Sequence, residues 1–541
     1  MAIMFGIFFL FRSLLLKGKK ILLQVEHRLI FNDNDNQLQF HVVFYLMEMN
    51  KGRGIKLNDF ADGCARENDA IPQADPRRWA ALVLILLPTL LISLNNYMMQ
   101  VALPLIQASM HAGFAEAQLI FSGYSLGLAV ALILGGKLGD LYGRKRMLSI
   151  GVFGFTLMCL FGGLVSNPIL LIVIRIIQGL SAAMIQPQVL SIMQGSFLPK
   201  EKRLVFAVYG AVIATGFTLG LILGGFLVDW NPLGFGWRIV FLFNVPLGLL
   251  VMMGLPIIPE SHARFSQRID WIGIALVMPG LFLFVYPLTI GQKQGWPLWT
   301  WGCLLLSILL LFVFVLLQKR GEEAGRTPLM ELSIFKISSF RIGVMAEFVV
   351  YFSMFSFFFV LNYYLQAGLR FGLESASLVF LPIGLGVFST SLLSSRMAKR
   401  WGDAVLITGT LTMGTSLFLL VWSLHADAVH IFHARNMLIL LVYGLGLGMA
   451  TTPLAHTILS RVPAASAGTG SGLFTTFMYL SNVLGVALIS ILFSAALQSP
   501  LSEAGLKDYA RAFSVSCIAS GALAFAACAC ICMLKPSNTD E

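Results

Sequence analysis

The stretch RIGVMAEFVVYFSMFSFFFVLNYYLQ, from Arg341 to Gln366, holds one carboxylate, Glu347, in a run that is otherwise almost wholly apolar from Ile342 to Leu361. A charge at the centre of a bilayer costs about 3 kcal/mol on insertion scales, so an acid kept there is a functional candidate. Its chemistry would be to take up and release a proton or to hold a cation. At about 100° per residue, Tyr351, Met354, Phe358 and Asn362 share a face with Glu347, a stripe of acid, aromatics and amide suited to a cavity wall. The competing reading is that Glu347, about two turns from Arg341, snorkels to the nearer headgroups; the short glutamate stem argues against it.

A second intramembrane charge is Arg175, in LLIVIRIIQGLSAAMIQP. Gln178 and Gln186 lie at nearby angular positions, which points to a hydrated interior rather than lipid, against the plainer alternative of a structural arginine bonding backbone carbonyls. Polarity within apolar runs adds Asn95, Asn96, Gln100, Tyr124, Gln186, Tyr351, Asn362 and Tyr443 as candidate cavity residues.

The elements that must carry these groups are membrane helices. Of 541 residues, 57% are hydrophobic and only 12% charged, where soluble domains carry roughly 25% charged residues. Apolar runs of about 20 residues recur from Trp79 to Met533, each long enough to cross as a helix, and the alternation of a lipid-facing barrel strand is absent. We expect an all-α polytopic membrane protein of about 14 transmembrane helices. These divide into a six-helix bundle over 77–257, a central helix pair over 258–338 and a second six-helix bundle over 339–535. Residues 1–76 read as a disordered cytoplasmic extension, because the apolar segment Ile3–Leu16 is too short to span and is broken by Arg12; residues 536–541 form a cytoplasmic tail.

The net charge of +11 needs no nucleic-acid partner. With the N-terminus inside, Arg144, Lys145, Arg146, Lys200, Lys202, Arg203, Arg396, Lys399 and Arg400 fall on the cytoplasmic side, while the opposite side keeps few basic residues, among them Arg238, Arg370 and Arg435. That asymmetry orients the chain with both termini cytoplasmic. The seven cysteines show no disulfide spacing, and Cys528, Cys530 and Cys532 lie in the last apolar helix, where free cysteine behaves as a small hydrophobe. His425, Asp427, His430 and His433 form a loop cluster read as solvated rather than metal-binding. His456, near a helix end, is a secondary candidate for proton relay. No metal site and no cofactor are expected.

GGKLGDLYGRKRM, after the second span, carries the most specific signal. Gly136 and Gly139 allow a close helix crossing, Asp140 can accept from the next helix N-terminus, and Gly143 turns the chain before Arg144 and Lys145. Here the sequence resembles the major facilitator superfamily, whose signature loop matches at Gly136, Leu138, Asp140, Gly143, Arg144 and Lys145. The resemblance implies a charged latch made and broken during alternating access. WRIVFLFNVPLG, through Trp237, Arg238, Phe241, Asn244, Pro246 and Gly248, is similar to the sixth-span entrance of the fourteen-spanner drug:proton antiporters, and IDWIG at 269–273 and RTPLMELSIF at 326–335 resemble that branch's connectors. The family assigns the arginine at position 175 to proton relay.

Two departures qualify the match. The fifth span spaces Gly216, Gly220 and Gly224 four apart, with Gly225 adjacent, a stripe that resembles the family's antiporter motif, but Leu221 stands where that motif has proline. In SLNNYMMQVALP the drug-antiporter pattern has a membrane aspartate, and Asn95 occupies its place. An amide cannot carry a proton, which leaves Glu347 as the acid well inside hydrocarbon. The expectation is a non-enzymatic, proton-coupled exporter of hydrophobic or cationic small molecules in the cell membrane, of multidrug efflux type and by family resemblance in a bacterial inner membrane. Its partners are the substrate, protons and the bilayer. The alternatives are a transporter of one metabolite or a membrane sensor without transport. The sequence has no HExxH, no GxSxG and no aspartate-rich metal cluster of a membrane enzyme.

Overall fold

The computed structural model describes residues 78–534 apart from 198, 232–233, 259, 261–269, 292–293, 325–328, 331, 427–430, 460–466 and 498–503. The expected N-terminal extension, its apolar segment and the C-terminal tail lie outside the described residues. Among the described residues every regular element is helical, and fourteen helices are long and apolar enough to cross a bilayer. In chain order they are α1 Arg78–Ser109, α2 Phe114–Tyr142, α3 Arg144–Leu164, α4 Pro168–Ser196, α5 Pro199–Trp230 and α6 Gly236–Ile257. There follow α7 Trp271–Ile290, α8 Leu298–Glu323, α9 Ser338–Tyr363, α10 Leu373–Trp401, α11 Ala404–Ala426, α12 Ala434–Leu459, α13 Ala467–Leu497 and α14 Leu506–Cys532.

Local sequence chemistry sets the ends. Between α2 and α3 Gly143 adopts φ 100°, a left-handed conformation that a side chain would strain. Asn167 caps α4, accepting from the backbone N–H of Ile169 and Leu170 at 2.9 and 3.1 Å, and Pro168 follows at the first helical position, where no N–H is missed. Asp270 caps α7 through the Gly273 N–H at 2.8 Å and also accepts from Gln318 of α8 at 2.6 Å, joining the two helices.

Within the first six helices, α1 lies along α5, α2 along α4, and α3 packs against α4 and α6. Within the last six, α9 packs on α13 and α14, α10 on α12, and α11 on α12 and α14. The two sets cross most extensively where α2 meets α13 and α5 meets α10. The second helix of each set thus faces the fifth of the other, the pairing expected of two similar repeats about a pseudo-twofold axis. α7 rests on both α2 and α13, with Val285 in a cluster with Leu126 and Val483, while α8 packs chiefly on α7 and exposes Leu305, Ile308 and Phe312.

Glycines let these backbones approach, though not all where the sequence predicts. A Cβ at Gly136 would stand 3.6 Å from Pro187, an ordinary contact, so Gly136 does not make the close crossing. Its neighbour Gly135 does: a Cβ there would collide with the Ala183 carbonyl of α4, as one at Gly139 would with the Gln188 side chain. The stripe in α5 is split. Gly220 and Gly224 face α1, where a Cβ would come within 2.8 Å of Tyr97 Cβ and 2.9 Å of Met98 Cα, whereas Gly225 faces Leu373 and Ser377 of α10. α5 has no internal proline, as Leu221 in place of the motif's proline requires.

Candidate functional site

Two buried charges anchor the interior. In α4, Arg175 is 0% exposed and lies where α1, α2 and α3 converge. Its Nε donates to the Ile120 carbonyl at 3.2 Å, and its Nη1 donates to Asn95 Oδ1 at 2.9 Å and to Gln178 Oε1 at 2.6 Å. The guanidinium stands 4.6 Å from the centre of the Tyr124 ring, where the ring quadrupole attracts a cation. Gln178 and Asn95 in turn donate to Cys159 Sγ, at 3.0 and 3.8 Å. Asn95 therefore belongs to the cage around Arg175, which has no carboxylate in ion-pair reach among the described residues.

In α9, Glu347 is likewise 0% exposed, so its side chain does not reach the surface. Both carboxyl oxygens lack a hydrogen-bond partner. One turn on, the half-buried Tyr351 lies within electrostatic reach of Glu347, Tyr97 and Tyr209, and Tyr479 within reach of Tyr97, Tyr124 and Tyr209. Tyrosines of α1, α2, α5, α9 and α13 are thus linked pairwise, and Glu347 joins them through Tyr351. Tyr97, Tyr209 and Tyr479 escape the sequence reading because a tyrosine in an apolar helix is usually taken for packing. Their spacing from the other polar positions carries no signal until the helices are assembled.

The remaining predicted residues divide. Asn96 and Gln100 are buried, with Asn96 Oδ1 and both ends of the Gln100 amide unpaired. Gln186 donates to Tyr479 Oη at 2.9 Å, a bond between α4 and α13. Tyr443 packs on Phe357 and Phe358, with ring centres 4.7 and 6.3 Å apart, and leaves its hydroxyl unpaired. Asn362 is not beside Glu347: the fifteen-residue step from one to the other spans about 22 Å of helix, and Asn362 bonds the Gln100 backbone of α1. The upper part of the stripe is closed off in the same way, Phe358 stacking on Phe217 of α5 at 5.6 Å.

At the basic end of the bundle, Arg144 pairs with Asp140 at 3.2 Å and donates to the Ser191 carbonyl at 3.3 Å. Asp140 does not cap α3 as its position predicts. Glu260, beyond α6, accepts from the Lys145 N–H at 3.0 Å, while Lys145 Nζ donates to the Pro256 carbonyl at 3.1 Å. Asp140, one turn before Arg144, is held by that side chain instead. Among the described residues no three His, Cys, Asp or Glu side chains cluster as metal ligands; Asp427, His430 and the His456 side chain lie outside what is described.

A model of the Major Facilitator Superfamily matches residues 85–486. Among curated relatives, the chain is 33% identical over 453 residues to the "Probable actinorhodin transporter" of Streptomyces coelicolor, covering 83% of this chain and 78% of the relative. It is 30% identical over 444 residues to the puromycin resistance protein pur8 of Streptomyces alboniger, covering 81% and 86%. To the multidrug efflux pump LfrA of Mycolicibacterium smegmatis it is 29% identical over 439 residues, covering 81% and 85%. Among solved structures, the inward-open xylose transporter XylE from E. coli superimposes with a TM-score of 0.58 at 16% identity, over 86% of this chain and 97% of that one.

Proposed function

We propose, from the premise that this chain belongs to the Major Facilitator Superfamily, that it is a secondary active transporter exporting hydrophobic or cationic small molecules in exchange for protons. It is not an enzyme. The names of the relatives as efflux pumps, resistance proteins and exporters support export of a small molecule. The basic end is cytoplasmic, since basic residues are retained there, and both chain termini lie on that side. The first six and last six helices act as two bundles that rock about a central site, and α7 and α8 lie between them in sequence.

The observation that carries the coupling reading is the unpaired, fully buried carboxyl of Glu347, one helical turn from Tyr351. A carboxyl group there binds a proton or a cationic substrate, one at the expense of the other, which is what exchange requires. Aromatic rings and unpaired amides such as Gln100 and Asn96 suit weakly specific binding of flat or amphiphilic molecules. A second reading, a dedicated exporter of one compound, is supported by relatives named for single compounds. Susceptibility of cells carrying and lacking the chain to a panel of unrelated lipophilic cations separates the two: broad resistance supports the multidrug reading. In reconstituted vesicles, adding a transported cation is expected to release protons from the loaded compartment. The absence of a substrate-dependent pH change rejects proton coupling.

A further inference from the structure

α1 contains Pro104, four residues beyond Gln100. Proline has no N–H, so the Gln100 carbonyl lacks its partner within the helix, and a buried backbone carbonyl is almost always paired elsewhere. Here the partner comes from the last six helices. Asn362 Nδ2 of α9 donates to the Gln100 carbonyl at 2.6 Å. Gln366, one turn further, donates through Nε2 to the next carbonyl, Val101, and to Asn362 Oδ1, both at 2.7 Å. Two side-chain amides and two consecutive carbonyls form one chain of bonds across the interface at the end opposite the basic loops.

The surroundings reinforce it. Tyr363 donates to Gln107 Oε1 at 2.7 Å, and Phe114 of α2 packs on Phe359 and Tyr363 with ring centres 5.9 and 5.1 Å apart. Asp229, at the end of α5, accepts from the Glu374 N–H of α10 at 2.6 Å. α9 itself ends in a π turn, Tyr364–Gly368, in which the Leu369 N–H reaches back to the Tyr364 carbonyl at 2.8 Å. Such widened turns often mark functional sites, and this one contains Gln366.

We propose that Asn362 and Gln366 are positioning residues of transport: they hold the far end shut by bonding the Gln100 carbonyl that Pro104 leaves unpaired on α1 and the Val101 carbonyl next to it. The far end must open for a substrate to leave on that side, and in this respect alone the inference rests on the transporter reading. The bonds are made to backbone, so the latch depends on the shape of α1 and not on a matching side chain. Opening returns the Gln100 carbonyl to water in the exit path, which makes the latch reversible.

The test reads the gate directly, without substrate. In the full chain with its native cysteines substituted, spin labels at Ser109→Cys and Glu374→Cys report the far-end separation by pulsed electron resonance. The double variant Asn362→Leu, Gln366→Leu is expected to raise the long-distance population roughly tenfold, as for the loss of one or two net hydrogen bonds. Pro104→Ala is expected to act in the same direction, because the new N–H at that position recaptures the Gln100 carbonyl, although it favours the helix itself. Adding Pro104→Ala to Asn362→Leu is expected to change little further, since both remove one bond. Unchanged distances in a folded Asn362→Leu, Gln366→Leu chain, or independent effects of Pro104→Ala and Asn362→Leu, overturn the proposal. Where the leucine variants do not fold, Pro104→Ala decides alone. Transport is measured separately with the unsubstituted chain in vesicles, so failure of the transporter reading leaves the distance result standing.

Discussion

The two charges inside the membrane region are housed in opposite ways. Arg175 is met through Nε and Nη1 by a backbone carbonyl and two side-chain amides and over an aromatic face, with Nη2 alone unpaired, whereas neither oxygen of Glu347 has a partner. Guanidinium cannot be deprotonated in a protein, so a buried arginine must be solvated permanently by its neighbours. A carboxyl group can shed its charge by binding a proton and then needs far less. The first site is therefore built to keep a fixed charge in place, and the second tolerates isolation because its charge is exchangeable. Asn95 belongs to this contrast: at the end of the Arg175 cage it contributes an acceptor without contributing a proton site.

The comparison breaks most visibly at Arg175. Arg175→Ala orphans the side-chain acceptors of Asn95 and Gln178, each worth about 1–3 kcal/mol when left buried and unmet. We expect poor yield of folded protein and a large fall in thermal stability in detergent, with Arg175→Lys intermediate because it lacks the planar fork. An alanine variant as stable as the parent would show that the cage is incidental.

Next in size is Glu347→Gln, which keeps shape and removes titration. Gradient-driven uptake into vesicles is expected to fall by roughly 100-fold or more, on the scale of losing an obligatory proton-transfer group, while substrate counterflow survives in part. Glu347→Asp should retain some uptake with a displaced pH profile. Uphill transport by Glu347→Gln at the parental rate would make the acid a bystander.

The smallest effect is the sharpest. Asn95→Asp supplies Arg175 with a countercharge in a contact already 2.9 Å long, and because desolvation offsets much of a buried pair its melting temperature should rise only modestly. Introduced into the Glu347→Gln background it should leave uphill transport absent. Restored transport there would mean that the Arg175 site also exchanges protons, and the distinction between the two charges would fall.

Much of the architecture is legible in the chain because length and apolarity alone decide whether a helix crosses. The isolation of Glu347 is legible for the same reason, since a lone acid in such a helix has no local partner. What the chain hides are bonds to backbone. Nothing near Asn362 announces that Pro104, more than 250 residues earlier, frees a carbonyl for it, and the polarity of Asn362 alone favours the cavity wall. The capping of α3 by Glu260 in place of Asp140 is hidden likewise, because it depends on where the end of α6 passes. Gly135 rather than Gly136 makes the closest approach to α4 because helix rotation, which a motif does not encode, selects the face.

The position of α7 has a mechanical consequence. It bears on α2 and α13 at once, and its clustered contacts, Leu281 and Val285 against Leu126, Val130, Val483 and Leu484, are aliphatic. Dispersion between such groups is worth only about 0.1–0.2 kcal/mol per atom pair and has little directionality, so one such surface can slide past another by exchanging neighbours of equal value. A helix seated on two bodies that rock would jam if it were pinned to both by directional bonds. Apolar side chains at this seat would let α7 act as a bearing, while the bonds from Gln318 to Asp270 and from Ser307 to the Gly280 carbonyl hold it to α8.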